Sequence, residues 1–193
     1  MEESKVKKCK VVIIGGSAGS LQALLQILPQ LPPVRSFAIV IVLHRKSTDD
    51  TALENLIKLK SKIPVFSVED KVPLRAGFLY IAPSNYHLLF EKNGILALDT
   101  SEKINYSRPS IDVSFESASE VYQTDLVGIL LSGSNTDGTA GIKAIQKAGG
   151  TIVIQDPKSA EMPFMPNNAI ANTTPDYVLN VQQLLDFIIL LDK

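Results

Sequence analysis

The chain of 193 residues lacks tryptophan and has a single cysteine, Cys9, which excludes an internal disulfide framework and fits a reducing compartment. It also lacks an excess of charge of either sign. Its 19 Lys and Arg residues against 20 Asp and Glu residues leave a formal net charge of -1. Because this gives no general electrostatic footprint for nucleic acid or an anionic membrane, we expect no nucleic-acid partner.

Long apolar segments are missing as well. No apolar run approaches the ~20 residues that span a bilayer, and even residues 187–191 are followed directly by Asp192 and Lys193. Residues 1–8 mix charges of both signs and do not read as a secretory signal. We therefore expect a cytoplasmic protein without membrane insertion, and the length together with 45% hydrophobic residues predicts one domain over residues 1–193.

Strand-like apolar runs alternate with helical spacing along most of the chain, which predicts an α/β fold with a doubly wound, mostly parallel sheet. An antiparallel hairpin interrupts this pattern, since residues 88–91 and 95–98 flank the turn signal Asn93-Gly94. Residues 156–172, with three prolines and two methionines, are expected to be irregular and free to pack over a site. The other predicted strands are 11–14, 37–43, 65–68, 126–131 and 151–155, and the predicted helices are 49–60, 109–122 and 138–148.

The segment Gly15-Gly16-Ser17-Ala18-Gly19 joins the first predicted strand to a helix. Glycines let the backbone turn sharply there, so that a serine hydroxyl projects beyond the sheet edge. The following helix start offers unpaired N–H groups to developing negative charge. Ser17 is therefore a candidate nucleophile, and the alternative is a serine that only caps the helix.

Two further side chains follow predicted strands and complete a chemical set with Ser17. His44 ends the second strand, and Asp137 follows the strand 126–131. A serine becomes nucleophilic when a base takes its proton, and a carboxylate can orient that base and stabilise its charged form. Each residue also has a plain structural alternative, namely a histidine at the edge of the core and a cap for the helix after Asp137. The only other histidine, His87, opens the predicted hairpin.

Other motif classes fit less well. Residues 15–20 lack the Gly-x-Gly-x-x-Gly fingerprint, and His44-Arg45 stands where a dinucleotide fold would place a ribose-binding carboxylate. No histidine follows Asp137, which excludes the usual residue order of an α/β-hydrolase if Asp137 is the acid. Since no zinc spacing and no phosphate loop is present, we expect no metal and no cofactor.

Six ordered segments carry a family resemblance that spans nearly the whole chain. The chain resembles the catalytic domain of the bacterial chemotaxis protein-glutamate methylesterases. The matching segments are residues 11–19, 39–44, 80–83, 108–112, 128–133 with 137–138, and 165–170.

The resemblance implies a doubly wound sheet with a hairpin and hydrolysis of methyl esters on glutamates in the cytoplasmic domain of methylated chemoreceptors, with possible deamidation of receptor glutamines. It further implies that Ser17 is the nucleophile, His44 the base and then the acid, and Asp137 the orienting carboxylate. Backbone N–H groups around Ala18 are then the expected oxyanion donors.

Several positions depart from the usual family pattern. Ala18 replaces a threonine, Ser20 a glycine, Arg45-Lys46 a Met-Pro pair, and residues 134–136 a Met-Gly-Asn segment. We expect these changes to affect pocket shape and substrate choice more than chemistry. Ser134, Arg45 and Arg108 are accordingly candidate pocket residues, and Arg45 with Lys46 either favours an acidic target surface or forms a solvated loop.

Family members usually carry a receiver domain before the catalytic domain, and only residues 1–10 precede the first predicted strand. We therefore expect either constitutive activity or control by a separate regulatory protein. The alternative function is a non-catalytic module that binds a receptor or another signalling protein through the same fold.

Overall fold

A computed structural model describes residues 9–45 and 51–192 of the chain. Its strands are β1 Val11–Gly16, β2 Ala38–Leu43, β3 Val65–Ser67, β4 Val72–Pro73, β5 Leu79–Ile81, β6 His87–Glu91, β7 Ile95–Asp99, β8 Leu126–Leu130, β9 Thr151–Gln155 and β10 Tyr177–Leu179. Its helices are α1 Ser20–Ile27, α2 Ala52–Lys60, α3 Ile111–Tyr122, α4 Thr139–Lys147, α5 Phe164–Asn172 and α6 Val181–Leu190.

Seven parallel strands form the main sheet in the order β10-β9-β8-β1-β2-β5-β3. The chain moves from β1 to β2, then to β3 at the edge and back to β5 between β2 and β3, and later returns to the other side of β1 with β8. The order therefore reverses between β1 and β8, and at such a point the loops after the two strands diverge and leave a crevice at their carboxyl ends. Ser17 follows β1 and Asp137 lies in the loop after β8.

Side chains of alternate residues in a strand point to opposite faces of the sheet. Helices cover both faces here, so both sets of side chains are buried. Val12 and Ile14 of β1 pack in the cluster that contains α1 and α6. Val11 and Ile13 pack in the cluster that contains α3, α4 and α5. The predicted doubly wound, mostly parallel sheet is confirmed.

The predicted hairpin is also confirmed, as β6 and β7 pair antiparallel around Gly94, whose φ is +74°. The strands belong to a separate three-stranded sheet, in the order β4-β7-β6, that the sequence did not indicate. Residues 156–172 were expected to be irregular, and this is wrong for their second half, which forms α5. Pro166 occurs in the first turn of that helix, where its missing N–H leaves no hydrogen bond unmade.

Part of the predicted helix 49–60 lies outside the described residues. No helix within the described part of the chain is long and apolar enough to cross a membrane. The division of the whole sequence into one domain stays a prediction.

The close approach of α3 and α4 depends on Gly141. A Cβ atom at this position would lie 2.4 Å from the Cβ atom of Phe115 and 3.2 Å from the Cα atom of Asp112. Both of those atoms are fixed to the backbone of α3, so they can move aside only if the helices separate. The glycine thereby sets the distance between the two helices whose first turns border the site.

We expect Gly141→Ala to lower the free energy of unfolding by ~1–3 kcal/mol, because the added methyl group must separate the helices. This is opposite to the intrinsic helix preference, in which alanine exceeds glycine by ~1 kcal/mol. Urea denaturation measures the change. Ala140→Gly, at the exposed neighbouring position of α4, is the control and should also destabilise. A Gly141→Ala protein more stable than the parent would contradict the packing argument.

Candidate active site

Ser17 follows β1 at the carboxyl edge of the sheet, where its backbone N–H donates to the carbonyl oxygen of Ser132 at 2.9 Å. Its hydroxyl lies 3.2 Å from Nδ1 of His44. Helix α1 begins at Ser20 with Gly19 as the N-cap, at a φ of 79°, and no side chain caps this helix. The alternative that Ser17 is only a helix cap does not describe the structure.

His44 directly follows β2, and its backbone N–H donates to the carbonyl oxygen of Gly16 at 3.1 Å. Its Nε2 atom lies 2.6 Å from Oδ2 of Asp137, and its side chain is 12% exposed. Because a carboxylate only accepts hydrogen bonds, Nε2 carries the proton and the lone pair of Nδ1 faces the hydroxyl of Ser17. Asn135 adds an amide nitrogen 3.4 Å from the same Nδ1 atom.

Asp137 is fully buried and accepts hydrogen bonds from five groups. Two of them are the N–H groups of Ile111 and Asp112, at 2.7 and 3.1 Å, in the first turn of α3. The sequence offered capping of the following helix as an alternative role, and the structure corrects it, since Asp137 caps α3 instead. The other donors are Nε2 of His44 at 2.6 Å, Oγ of Ser110 at 2.9 Å and Nδ2 of Asn105 at 3.1 Å.

These donors determine the charge of Asp137. Burial alone would raise the pKa of this carboxyl group, but the hydrogen bonds from His44, from the two helix N–H groups and from Asn105 outweigh burial and hold the pKa below its ordinary value. Asp137 is therefore a carboxylate, as an orienting partner of an imidazole has to be.

Asp112, which was not a site candidate from the sequence, is a second buried carboxyl group next to Asp137. Its Oδ1 accepts the N–H of Gly141 at 2.8 Å, and its Oδ2 accepts Nδ2 of Asn105 at 3.1 Å. Burial, followed by the negative charge of Asp137, raises the pKa of Asp112 to about 6, against the lowering effect of the Gly141 N–H. The amide of Asn105 thus donates to both carboxyl groups.

His87 supports the same cluster from behind and is fully buried. Its Nδ1 accepts the N–H of Ser110 at 3.2 Å, and its Nε2 donates to the carbonyl oxygen of Glu102 at 2.9 Å. Ser110 is the N-cap of α3 and donates its hydroxyl to Asp137. The second histidine therefore contacts the N-cap of α3, and His44 is the one that contacts Ser17.

Comparison with known proteins assigns the chain to a family. Residues 12–188 match the family model described as CheB methylesterase. The crystal structure of the Thermotoga maritima CheB methylesterase catalytic domain superposes with a TM-score of 0.90 at 33% identity, covering 95% of this chain and 99% of that one. The chain belongs to the CheB methylesterase family. The resemblance noted in the sequence is thereby confirmed.

Relatives within this family differ in length. The protein-glutamate methylesterase/protein-glutamine glutaminase of Thermotoga maritima is 35% identical over 88% of this chain, and the match spans 50% of that relative. A relative from Leptospira interrogans, whose name contains the same two activities, is 42% identical over 95% of each chain. Similarity therefore extends to relatives of this chain's own length and to relatives about twice as long.

The structure brings Ser17, His44 and Asp137 of the methylesterase fold together, whereas the predicted pocket residues are placed differently. The N–H of Ala18 has no acceptor among the described residues. Ser134 is exposed, and no described group hydrogen bonds to its side chain. Arg108 donates to the carbonyl oxygens of Thr100 and Ser101 at 2.6 and 2.7 Å. Its guanidinium therefore holds the loop after β7 and forms no hydrogen bond with Ser17, His44 or Asp137.

Arg45 forms a bidentate ion pair with Glu54 of α2, through Nη1 to Oε1 and through Nη2 to Oε2 at 3.0 Å. The two side chains are 9% and 6% exposed. From the sequence Arg45 was expected either to bind an acidic surface or to be solvated, and in the structure it is instead a part-buried arginine whose charge is paired. Lys46 lies outside the described residues. Among the residues described, no group of three His, Cys, Asp or Glu side chains is placed to hold a metal ion.

The raised pKa of Asp112 predicts a pH-dependent stability. The native state holds a proton there that the unfolded state loses near pH 4, so the stabilisation by protonation is present below pH 4 and disappears as the pH rises towards 6. We expect Asp112→Asn to remove this decline, which is on the order of 2–3 kcal/mol. The lowered pKa of Asp137 has the opposite effect on stability. Its carboxylate stabilises the native state above pH 4, and this stabilisation is lost as the pH falls below 4.

Urea denaturation between pH 4 and 7 checks this prediction, with Asp186→Asn on α6 as the control. The asparagine at 112 keeps an oxygen for the N–H of Gly141. Parallel pH profiles for the parent and Asp112→Asn would show that Asp112 does not titrate in this range.

Proposed function

We propose that this chain is a serine esterase that hydrolyses the γ-methyl esters of glutamates in the cytoplasmic domain of methylated chemoreceptors and releases methanol. The observation that carries the proposal is the continuous chain of hydrogen-bonding atoms Ser17 Oγ, His44 Nδ1, His44 Nε2 and Asp137 Oδ2, with separations of 3.2 Å and 2.6 Å. It lies at the carboxyl edge of the sheet where open parallel sheets bind ligands.

Acylation begins when Nδ1 of His44 takes the proton of Ser17 and Oγ attacks the ester carbonyl carbon. The π electron pair of the carbonyl moves to its oxygen. Asp137 stabilises the imidazolium through Nε2–H without taking the proton, consistent with its lowered pKa. His44 then protonates the departing methoxide, which leaves as methanol, and the glutamyl group remains as an ester of Ser17.

The oxyanion requires donors close to Ser17. The N–H of Ala18, the residue after the nucleophile, is unpaired among the described groups and lies at the turn before α1. The residue after the nucleophile supplies such a donor in other strand-turn-helix serine hydrolases. The partial positive charge at the start of α1 adds to this stabilisation.

Deacylation repeats the cycle with water. His44 deprotonates a water molecule that attacks the acyl carbon, and then returns the proton to Oγ of Ser17 as the free glutamate leaves. An amide of glutamine enters the same cycle with ammonia as the leaving group, so that deamidation needs no further residues. The names of the relatives combine both activities.

Exposed apolar side chains beside the site support a protein substrate over a small ester. Tyr106, next to the Asn105 that contacts Asp137, is 99% exposed. Met162 and Phe164 are 37% and 52% exposed. Their segment is held against the loop after β8, because the N–H of Gly133 donates to the carbonyl oxygen of Met162 at 3.1 Å. Apolar side chains on both sides of a catalytic edge suit contact with a protein surface.

We expect Ser17→Ala to lower ester hydrolysis by at least ~10³-fold, because no other hydroxyl within residues 9–45 and 51–192 is paired with His44. Methanol release from methylated receptor fragments measures the rate, and mass spectrometry after treatment with a fluorophosphonate locates the labelled residue. Ser101→Ala, in an exposed loop, is the control and should keep both rate and label. Near-parental methanol release by Ser17→Ala would remove this residue as the nucleophile.

We expect Asp137→Asn to lower kcat by ~10³–10⁴-fold, since the amide N–H₂ facing His44 would favour the tautomer with a proton on Nδ1, which cannot accept from Ser17. All five partners of Asp137 in the described part of the chain are donors, so an amide N–H₂ has no acceptor among them. The free energy of unfolding should therefore also fall, by ~1–3 kcal/mol. Kinetics at a temperature where the variant is folded, by circular dichroism, separate the two effects, and a loss of rate below tenfold contradicts the orienting role.

A further inference from the structure

Two serine hydroxyls hold the backbone on either side of Ala18. Oγ of Ser20 donates to the carbonyl oxygen of Ser17 at 2.6 Å, and the N–H of Ser20 donates to the same oxygen at 3.1 Å. Oγ of Ser132 donates to the carbonyl oxygen of Ala18 at 2.7 Å. Ser20 and Ser132 are 1% and 0% exposed. Both carbonyl groups of the turn are therefore fixed by buried donors.

The directions of two N–H groups follow from these bonds. In a planar trans peptide the C=O and N–H groups point in opposite directions. The carbonyl of Ser17 points at Ser20, so the N–H of Ala18 points away from the first turn of α1. The carbonyl of Ala18 points at Oγ of Ser132, so the N–H of Gly19 points away from that hydroxyl. Neither N–H has an acceptor among the described residues.

We propose that Ser20 and Ser132 are positioning residues of the esterase reaction, whose hydroxyls orient the peptide groups that carry the oxyanion-binding N–H groups of Ala18 and Gly19. The inference rests on the proposed function and adds to it the groups that set the donor geometry. Ser20 and Ser132 touch neither the substrate nor the reacting atoms, and act only through the backbone.

Only one acceptor among the described residues lies at a short distance from the hydroxyl of Ser132, and it is the carbonyl oxygen of Ala18. Its Oγ accepts the N–H of Met162 at 2.9 Å, and the carbonyl oxygen of Met162 lies farther away, at 3.3 Å, than that of Ala18. The backbone N–H of Ser132 donates to Oε1 of Gln155 at 2.9 Å. Gln155 is 1% exposed and donates through Nε2 to the carbonyl oxygen of Ser159 at 3.1 Å. The carbonyl of Ala18 is thus tied to the end of β9.

The glycines of the turn make room for the two serines. A Cβ atom at Gly16 would lie 2.5 Å from Cβ and 2.8 Å from Oγ of Ser20. A Cβ atom at Gly19 would lie 2.7 Å from Oγ of Ser132, and the φ of Gly19 is +79°. The hydroxyls therefore lie directly against the turn, in space that other residues at 16 and 19 would fill.

The proposed role predicts an effect on the chemical step and little effect on binding. As Oγ of Ser17 bonds to the ester carbon, the carbonyl oxygen gains a full negative charge, and only then do well-aimed N–H groups become important. Without a hydroxyl at 20 or 132, the peptide group can rotate and its N–H loses alignment. Binding of the planar ester before the attack depends much less on this alignment.

Ser20→Ala and Ser132→Ala, assayed with N-acetylglutamate γ-methyl ester N-methylamide, test the proposal. We expect kcat to fall by ~10–100-fold, less than the ~10²–10³-fold for removal of a donor itself, with KM within about twofold. Affinity for phenylboronic acid, which forms a tetrahedral adduct with the serine oxygen, should fall by the same factor as kcat. Ser132→Cys replaces the hydroxyl with a slightly larger thiol, which is a weaker donor, and should give an intermediate kcat if Ser132→Ala does not fold.

Two matched controls lose a comparable buried hydrogen bond that does not involve the turn after β1. Oγ of Ser119 donates to the carbonyl oxygen of Glu116 at 2.7 Å, three residues earlier, as Ser20 does to Ser17. Oγ of Ser114 donates across the fold to the carbonyl oxygen of Leu88 at 2.9 Å, as Ser132 does to Ala18. Ser119→Ala and Ser114→Ala should lower Tm and leave kcat and boronate affinity unchanged.

The outcomes separate the inference from the proposed function. If the parent hydrolyses the ester and the Ser20 and Ser132 variants lose only Tm, as the controls do, the positioning role is overturned and the esterase stands. If the parent neither hydrolyses methyl esters nor binds the boronate, both fail together. A fall in kcat and in boronate affinity at constant KM, absent from the controls, supports the positioning role.

Discussion

The buried carboxylate of Asp137 at the start of α3 is the interaction on which the site depends. A carboxylate removed from water costs several kcal/mol unless its oxygens are satisfied. Here five donors surround it, and two of them are helix N–H groups that otherwise have no partner. The same bonds that make burial of the charge tolerable also fix the position of the oxygen that holds His44. The stability of the buried charge and the orientation of His44 therefore have one origin.

The arrangement is reciprocal between two helices. Asp137 lies just before α4 and caps α3, whereas Asp112 lies in the first turn of α3 and accepts the N–H of Gly141 in the first turn of α4. Each helix start thus receives a carboxyl group that belongs to the other. The two groups differ in charge preference because Asp137 has five donors around it, while Asp112 is buried beside an existing negative charge.

Much of this could be predicted from the sequence, because parallel strands bring their carboxyl ends to one edge. Ser17, His44 and Asp137 could be grouped from strand ends alone, and the sheet follows from the apolar runs. Asp112, Ser110 and Asn105 were missed, since their role depends on where the start of α3 lies in space. The only indication in the sequence was that these residues lie in or near the segment 108–112, which carries part of the family resemblance. The pairing of Arg45 with Glu54 is similarly a contact between elements, which no local pattern encodes.

His44 presents to Ser17 the ring nitrogen next to its Cγ atom, whereas in the serine-protease triad the distal nitrogen faces the serine. The proximal nitrogen lies nearer to the backbone than the distal nitrogen, and that backbone is hydrogen bonded to Gly16 of β1. His44 consequently extends only a short way from the sheet, so that the register of β1 against β2 sets the separation of its Nδ1 atom from Oγ of Ser17. Changes of substrate among such domains should therefore arise in the loops above this edge, while the spacing of the two strands stays constant.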